Sequence, residues 1–232
     1  LFLTGAVLCV TLAAQDIRVQ PIRGNLYMLT GDGANITASI GNDGVLLVDT
    51  GLPNLTPKLL DTIKQLAKTD KPLIRYIVNT SVLADHTGGN AELKSVGAPV
   101  VGGNLGASNR GAAIVAHEGV MNRLSAPTGQ KSSAPEAAWP NVTYFQGQKE
   151  IFVNGEALEI KMVASAHTDG DSIVFFRKSD VLSVGDIFTP ARYPGIDIAR
   201  GGSVNGLIDA LNQILLLTVP EKLQDGGTRV IP

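Results

Sequence analysis

Short apolar runs closed by glycine turns occur twice along this chain, each set followed by helical spacing, and that order leaves few folds open. The first set covers residues 16–22, 25–30, 34–40 and 45–48. Turn signals at Arg23-Gly24, Gly31-Asp32-Gly33 and Gly41-Asn42-Asp43-Gly44 separate these runs, so the sheet is expected to start antiparallel. Residues 55–68 then carry apolar side chains at Leu55, Leu59, Leu60, Ile63, Leu66 and Ala67. This is a helical period, with Pro57 tolerated in the first turn. A buried strand at 73–78, a helix near 91–96 and a short strand at 99–101 imply a parallel β-α-β portion. Residues 104–124 are helix-compatible, and the stretch 125–140, rich in Ala, Ser and Pro, reads as a surface loop. Strands are expected again at 142–145, 150–153, 158–163, 172–176 and 181–184. A second amphipathic helix at 203–219 and a last strand at 228–231 complete the second set. Periodicity alone specifies a mixed α/β or α+β domain.

At 232 residues and 44% hydrophobic content, the chain can bury a substantial core within one domain, expected to span residues 15–232. Its 19 basic and 21 acidic side chains nearly cancel, and no basic run is interleaved with aromatics. No nucleic-acid partner is therefore expected. Residues 1–14 form one apolar run, shorter than the roughly 20 residues that cross a bilayer. The run fits a signal-peptide remnant, with Leu12-Ala13-Ala14 ahead of a cleavage before Gln15. The expected mature protein is periplasmic or secreted, with no stable membrane association. Cys9 falls inside the leader, so thiolate metal ligands and disulfides are excluded from the domain that follows.

Only three histidines are present, His86, His117 and His167. A divalent transition metal in a cysteine-free domain needs histidine and carboxylate donors, typically three or four. His86 follows Asp85 in the polar loop Asn79-Thr80-Ser81-Val82-Leu83-Ala84-Asp85-His86-Thr87-Gly88-Gly89-Asn90, just past the apolar run 73–78. His167 lies in Ala164-Ser165-Ala166-His167-Thr168-Asp169-Gly170-Asp171, and Asp186 in Val184-Gly185-Asp186-Ile187. Each group sits just beyond an apolar strand, so all can point into one shared cleft. Each also has a plainer role open to it. An Asp-His pair in a loop can cap a helix, Asp169 and Asp171 around Gly170 can form a turn, and His117 is expected mid-helix as a structural residue. Ser81 lacks a visible base to activate it as a nucleophile.

The loop at 79–90 resembles the signature N-T-H-x-H-x-D-H-x-G-G-N of the metallo-β-lactamase superfamily. It matches at Asn79, Thr80, Asp85, His86, Gly88, Gly89 and Asn90. It departs at Ser81 and Leu83, which stand where the family has two metal-binding histidines. Asp49-Thr50-Gly51, His167 and Asp186 follow further family motifs in the expected order, so the resemblance covers residues 16–232. It implies the four-layered αβ/βα sandwich, lacking its C-terminal end, because the family's last histidine, in a P-G-H-G turn, would follow Pro232. It implies a metal-dependent hydrolase that turns metal-activated water on an ester, thioester, lactam or similar bond of a small-molecule substrate. The metal residues carried over are Asp85, His86, His167 and Asp186, with Asp85 also catalytic and Asp49 a buried group behind the site. The expected cofactor is zinc or another divalent metal, one ion or none here against one or two in the family. The D-H-T-G-G-N form and the segment Gly201-Gly202-Ser203-Val204-Asn205-Gly206-Leu207 resemble those of secreted bacterial members. The losses at Ser81 and Leu83 also admit a non-catalytic binding or structural protein on the same fold.

Overall fold

Alternation within the strands decides which way each sheet faces. The computed structural model describes residues 16–100, 111–126, 129–224 and 226–232. Its first sheet runs in chain order through β1 (Arg18–Arg23), β2 (Leu26–Thr30), β3 (Ile36–Gly41), β4 (Gly44–Val48), β5 (Ile74–Val78), β6 (Ala113–His117) and β7 (Val142–Tyr144). The glycine turns make β1 to β4 antiparallel, whereas β4 to β7 pair parallel through crossovers. The second sheet has the order β12-β11-β10-β9-β8. It comprises β8 (Gln148–Val153), β9 (Glu156–Met162), β10 (Ser172–Phe176), β11 (Val181–Ser183) and β12 (Arg229–Ile231), with only the β11–β12 pair parallel.

In β4 the odd and even residues part company. Val45 and Leu47 pack outward against Leu59 and Ile63 of α1 (Thr56–Ala67) and Leu93 of α3 (Asn90–Val96). Leu46 and Val48 point inward, where they join Val78 and Val115 against Ile160, Val174 and Phe176 of the second sheet. The far face of that sheet, with Ile173, Leu182 and Val184, is covered by Leu207, Ala210 and Ile214 of α5 (Val204–Leu217). Helix, sheet, sheet, helix is the expected four-layered sandwich. Two short helices complete the set among the described residues, α2 (Ala84–Thr87) and α4 (Glu118–Leu124).

One expectation needs correction. Within the stretch read as helix over 104–124, Ala113–His117 is strand β6 and only Glu118–Leu124 is helical, while residues 104–110 lie outside the described residues. The run Ala112-Ala113-Ile114-Val115-Ala116 is buried on both faces between β5 and β7, and a continuously apolar run carries no period to tell strand from helix. His117 consequently ends a strand. Its Nδ1 caps α4 by accepting from the Gly119 N–H, and its Nε2 donates to Phe145 O at 2.9 Å. No strand forms at 99–100, and Val101 and the stretch 1–14, read from sequence as a signal-peptide remnant, fall outside the described residues. Among the described residues no helix is long and apolar enough to cross a membrane.

Polar bonds tie the two sheets where the loops emerge. The Ser172 N–H donates to Thr80 O at 2.9 Å, the Tyr144 hydroxyl meets Ser172 Oγ at 2.6 Å, and Thr37 Oγ1 donates to Ser183 Oγ at 3.1 Å. They hold the start of β10 against the carboxyl ends of β5 and β7, and the end of β11 against β3.

Candidate functional site

The loop 79–90 is held by its amides before it offers any chemistry. Asn79 Nδ2 donates to Asn90 Oδ1 at 3.1 Å and Asn90 Nδ2 returns a bond to Asn79 Oδ1 at 2.9 Å, all buried. Asn79 Nδ2 and the Thr50 N–H also both reach His86 O, at 3.1 and 2.9 Å. A Cβ on Gly89 would come within 2.8 Å of Thr50 O, and one on Gly88 would overlap Pro53, so both glycines serve close packing. Five of the motif residues, Asn79, Thr80, Gly88, Gly89 and Asn90, thus build a bracket that presents Ser81 to His86.

Behind the bracket stands Asp49, a non-glycine residue at φ 65° at the end of β4. Its Oδ1 accepts from the Thr80 N–H at 2.8 Å, and its Oδ2 from Thr80 Oγ1 at 2.5 Å and His86 Nδ1 at 2.8 Å. An Nδ1–H given to a buried carboxylate turns Nε2 of His86 towards the cleft. Burial disfavours a charged imidazole, but the Asp49 carboxylate and the Asp186 carboxylate close to Nε2 outweigh it and raise His86 well above its ordinary pKa.

His86 Nε2 ends 3.0 Å from Asp186 Oδ2, and His167 Nε2 lies 3.8 Å from the same oxygen. Neither contact has hydrogen-bond alignment: His86 Nε2, His167 Nε2, Asp186 Oδ2 and Ser81 Oγ are all buried atoms without a hydrogen-bond partner. Burial alone would raise Asp186, yet the neighbouring His86, with smaller contributions from His167 and the Ser81 hydroxyl, holds its carboxyl below the usual range. Gly185, at φ 54°, permits this placement, since a Cβ there would overlap Thr80 Oγ1.

His167 is oriented from the other side. Its Nδ1 donates to Gly195 O at 2.8 Å, leaving Nε2 as the free lone pair facing Asp186. Its carbonyl accepts from the Asp197 N–H at 2.9 Å, and the neighbouring Asp169 N–H donates to Arg200 O at 2.9 Å. Asp169 itself takes a two-pronged bond from Arg123 of α4, at 2.7 and 2.6 Å. The segment Gly201-Gly202-Ser203-Val204-Asn205-Gly206 closes over the same loop. The Ser203 N–H reaches Ser165 O and Ala166 O, and a Cβ on Gly202 or Gly206 would overlap His167 O or Ser165 O.

The tertiary structure therefore brings His86, His167 and Asp186 around one oxygen. Asp85 does not join that contact: it lines the adjoining cavity of about 720 Å³, together with Leu83, His167, Asp186, Phe188, Arg192 and Tyr193. Among the described residues no group of three or more His, Cys, Asp or Glu side chains is placed so that it could hold a metal ion. The participation of Gly195 O and of the loop with Phe188, Arg192 and Tyr193 has no sequence signal beyond the turn residues Pro190, Pro194 and Gly195. A carbonyl's direction and a loop's return path are tertiary properties.

Comparison with known proteins bears on the same architecture. The family model described as "Metallo-beta-lactamase superfamily" matches residues 29–220. No curated protein sequence is similar enough to count as a match. Among solved structures, a metallo-beta-lactamase from Pontibacter korlensis superposes with a TM-score of 0.65 at 17% identity, over 87% of this chain and 86% of that one. BJP-1, a subclass B3 metallo-beta-lactamase of Bradyrhizobium japonicum, does so at 0.60 and 20% identity, over 88% and 74%. The sec-alkyl sulfatase PisA1 reaches 0.61 at 19% identity, over 90% of this chain and 37% of that one. At such identities the likeness is one of fold.

Proposed function

We propose, for a chain that belongs to the metallo-beta-lactamase superfamily, that it is an exported hydrolase working with one divalent metal ion, zinc in the first instance. The fold is generally that of hydrolases. The observation that carries the reading is the meeting of His86 Nε2, His167 Nε2 and Asp186 Oδ2, three buried acceptor positions without a hydrogen-bond partner. Acceptors that face one another in a buried site call for a cation between them. A proton on His86 meets that need in the metal-free protein, flanked by Asp49 and Asp186.

In this reading the donors that remain serve one ion and not two. His86, His167 and Asp186 would hold it, with Ser81 Oγ beside them as a weak oxygen donor where the family has histidine. Leu83 has no donor atom, so the other half of the family's paired site is absent. A metal bound there supplies Lewis acidity and a lowered water pKa. Everything else falls to the chain. Asp49 and Gly195 O fix the tautomers of the two histidines, so both present Nε2 to the cleft. Asp85, part-exposed on the cavity wall, accepts a proton from the attacking water and returns it to the leaving group. Phe188 and Tyr193 flank the reacting bond of an ester, thioester or lactam.

Metal titration of the purified protein, followed by activity against an ester, thioester and lactam panel, tests this. One equivalent of zinc or cobalt is expected, lost on His167→Ala or Asp186→Ala. The double change Ser81→His, Leu83→His is expected to raise the stoichiometry to about two, by returning the two family ligands. Failure to bind metal together with inactivity on every substrate class overturns the reading. It would favour the second one, a non-catalytic binding protein, which the losses at Ser81 and Leu83 and the unformed geometry support.

A further inference from the structure

Leu83, the residue that replaces a family ligand, lines two cavities. One is the cleft over Asp186. The other, of about 580 Å³, lies beside it and is walled by Val82, Leu83, Leu124, Ala134, Pro135 and Ala138. Val82 and Leu124 belong to a small buried cluster with Ala116 and Val120, against which Leu83, Ala134 and Trp139 pack, so the wall is part of a folded core. Two arginines reach this cavity, and neither is free: Arg123 is gripped by Asp169 through two bonds, and Arg200 is paired with Asp197. Thr87, Asn122 and Ser133 add neutral polar groups to the lining, and a wall otherwise mostly aliphatic, with its cations already paired, selects an uncharged and largely apolar occupant.

We infer that the cavity beyond Leu83 is a binding subsite for the apolar arm of the substrate, an alkyl or aryl group several carbons long. The reacting bond then lies over Asp186 and His167 while the arm crosses Leu83. The trade of a metal-binding histidine for leucine thereby has a positive consequence. A donor at that position would present a polar face to both cavities, whereas leucine makes their shared wall apolar.

The inference rests on the hydrolase reading for its kinetic arm but not for its binding arm. In the binding arm the neutral fluorophore N-phenyl-1-naphthylamine is titrated into the protein and displaced with 1-decanol. Ala134→Phe, which fills the cavity from the 125–140 segment, is expected to weaken both by about tenfold. Ala91→Phe fills it from α3 and gives the same reading should the first variant misfold. In the kinetic arm, para-nitrophenyl decanoate is compared with the acetate. The ratio of their kcat/KM values is expected to fall by about tenfold in either variant. Absence of fluorophore binding, or binding that survives both variants, overturns the inference whatever the enzyme hydrolyses. Binding that follows the variants, with no metal uptake and no hydrolysis of any ester, thioester or lactam, supports the subsite and overturns the hydrolase reading alone.

Discussion

Asp171 illustrates how a residue's surroundings can set its chemistry against its formal charge. It is 2% exposed, and burial pushes its carboxyl up to about 6, against the O–H and N–H bonds from Thr168 at 2.5 and 2.7 Å that favour the anion. The folded state therefore holds the proton more tightly than the unfolded chain, whose Asp titrates near 3.8. The stabilisation is fully present below about pH 4 and is lost as pH rises to about 6. The difference corresponds to roughly 3 kcal/mol. Asp171→Asn keeps an acceptor for the Thr168 N–H and removes the ionisation. Urea unfolding at a series of pH values is expected to show wild type losing about 3 kcal/mol relative to this variant between about pH 4 and pH 7. A difference that does not change with pH would show that Asp171 keeps an ordinary pKa. The turn reading of the Thr168 to Asp171 stretch was open to sequence, but the burial that perturbs it was not.

At the scale of elements, the glycines of 201–206 show what spacing reveals and what it conceals. Periodicity locates the helix at 203–219, close to the observed Val204–Leu217, and Ser203 caps it by accepting from the Gly206 N–H. Nothing in that periodicity explains Gly206 inside a helix, where alanine is favoured by up to about 1 kcal/mol. The answer lies across the chain, since a Cβ at Gly206 would overlap the Ser165 carbonyl beside the His167 loop. Backbone overlap of that kind costs about 1–3 kcal/mol, so the clash outweighs the propensity. Gly206→Ala is accordingly expected to lower the denaturation midpoint by the equivalent of about 1–2 kcal/mol, and an unchanged or raised midpoint would refute the close packing. The same blindness explains the strand at Ala113–His117. Burial on two faces erases the alternation that marks a strand with one wet side.

For the molecule as a whole, stability is concentrated between the two sheets. Phe176 is fully buried there, while Phe152, on the same sheet, is 72% exposed beside the inward-pointing Ile151 and Val153. Phe176→Ala is expected to cost about 3–5 kcal/mol, a large share of a total near 5–15 kcal/mol, with Phe152→Ala within about 0.5 kcal/mol. Equal effects in chemical denaturation would contradict the layering. The sequence by itself determined a mixed α/β or α+β domain, and its resemblance to the family supplied the four layers and marked the loop that became the bracket. Period-two runs, helical spacing and the matched residues from Asn79 to Asn90 are local patterns, and local patterns survive in one dimension. It also located the loops that carry Asp85, His86, His167 and Asp186. Only the tertiary structure decided that His86, His167 and Asp186 face one another while Asp85 stands on the cavity wall. That outcome depends on where Asp49, 37 positions before His86, and the Gly195 carbonyl, 28 after His167, direct each ring. Hydrogen-bond direction across such separations is set by packing, which no local pattern encodes.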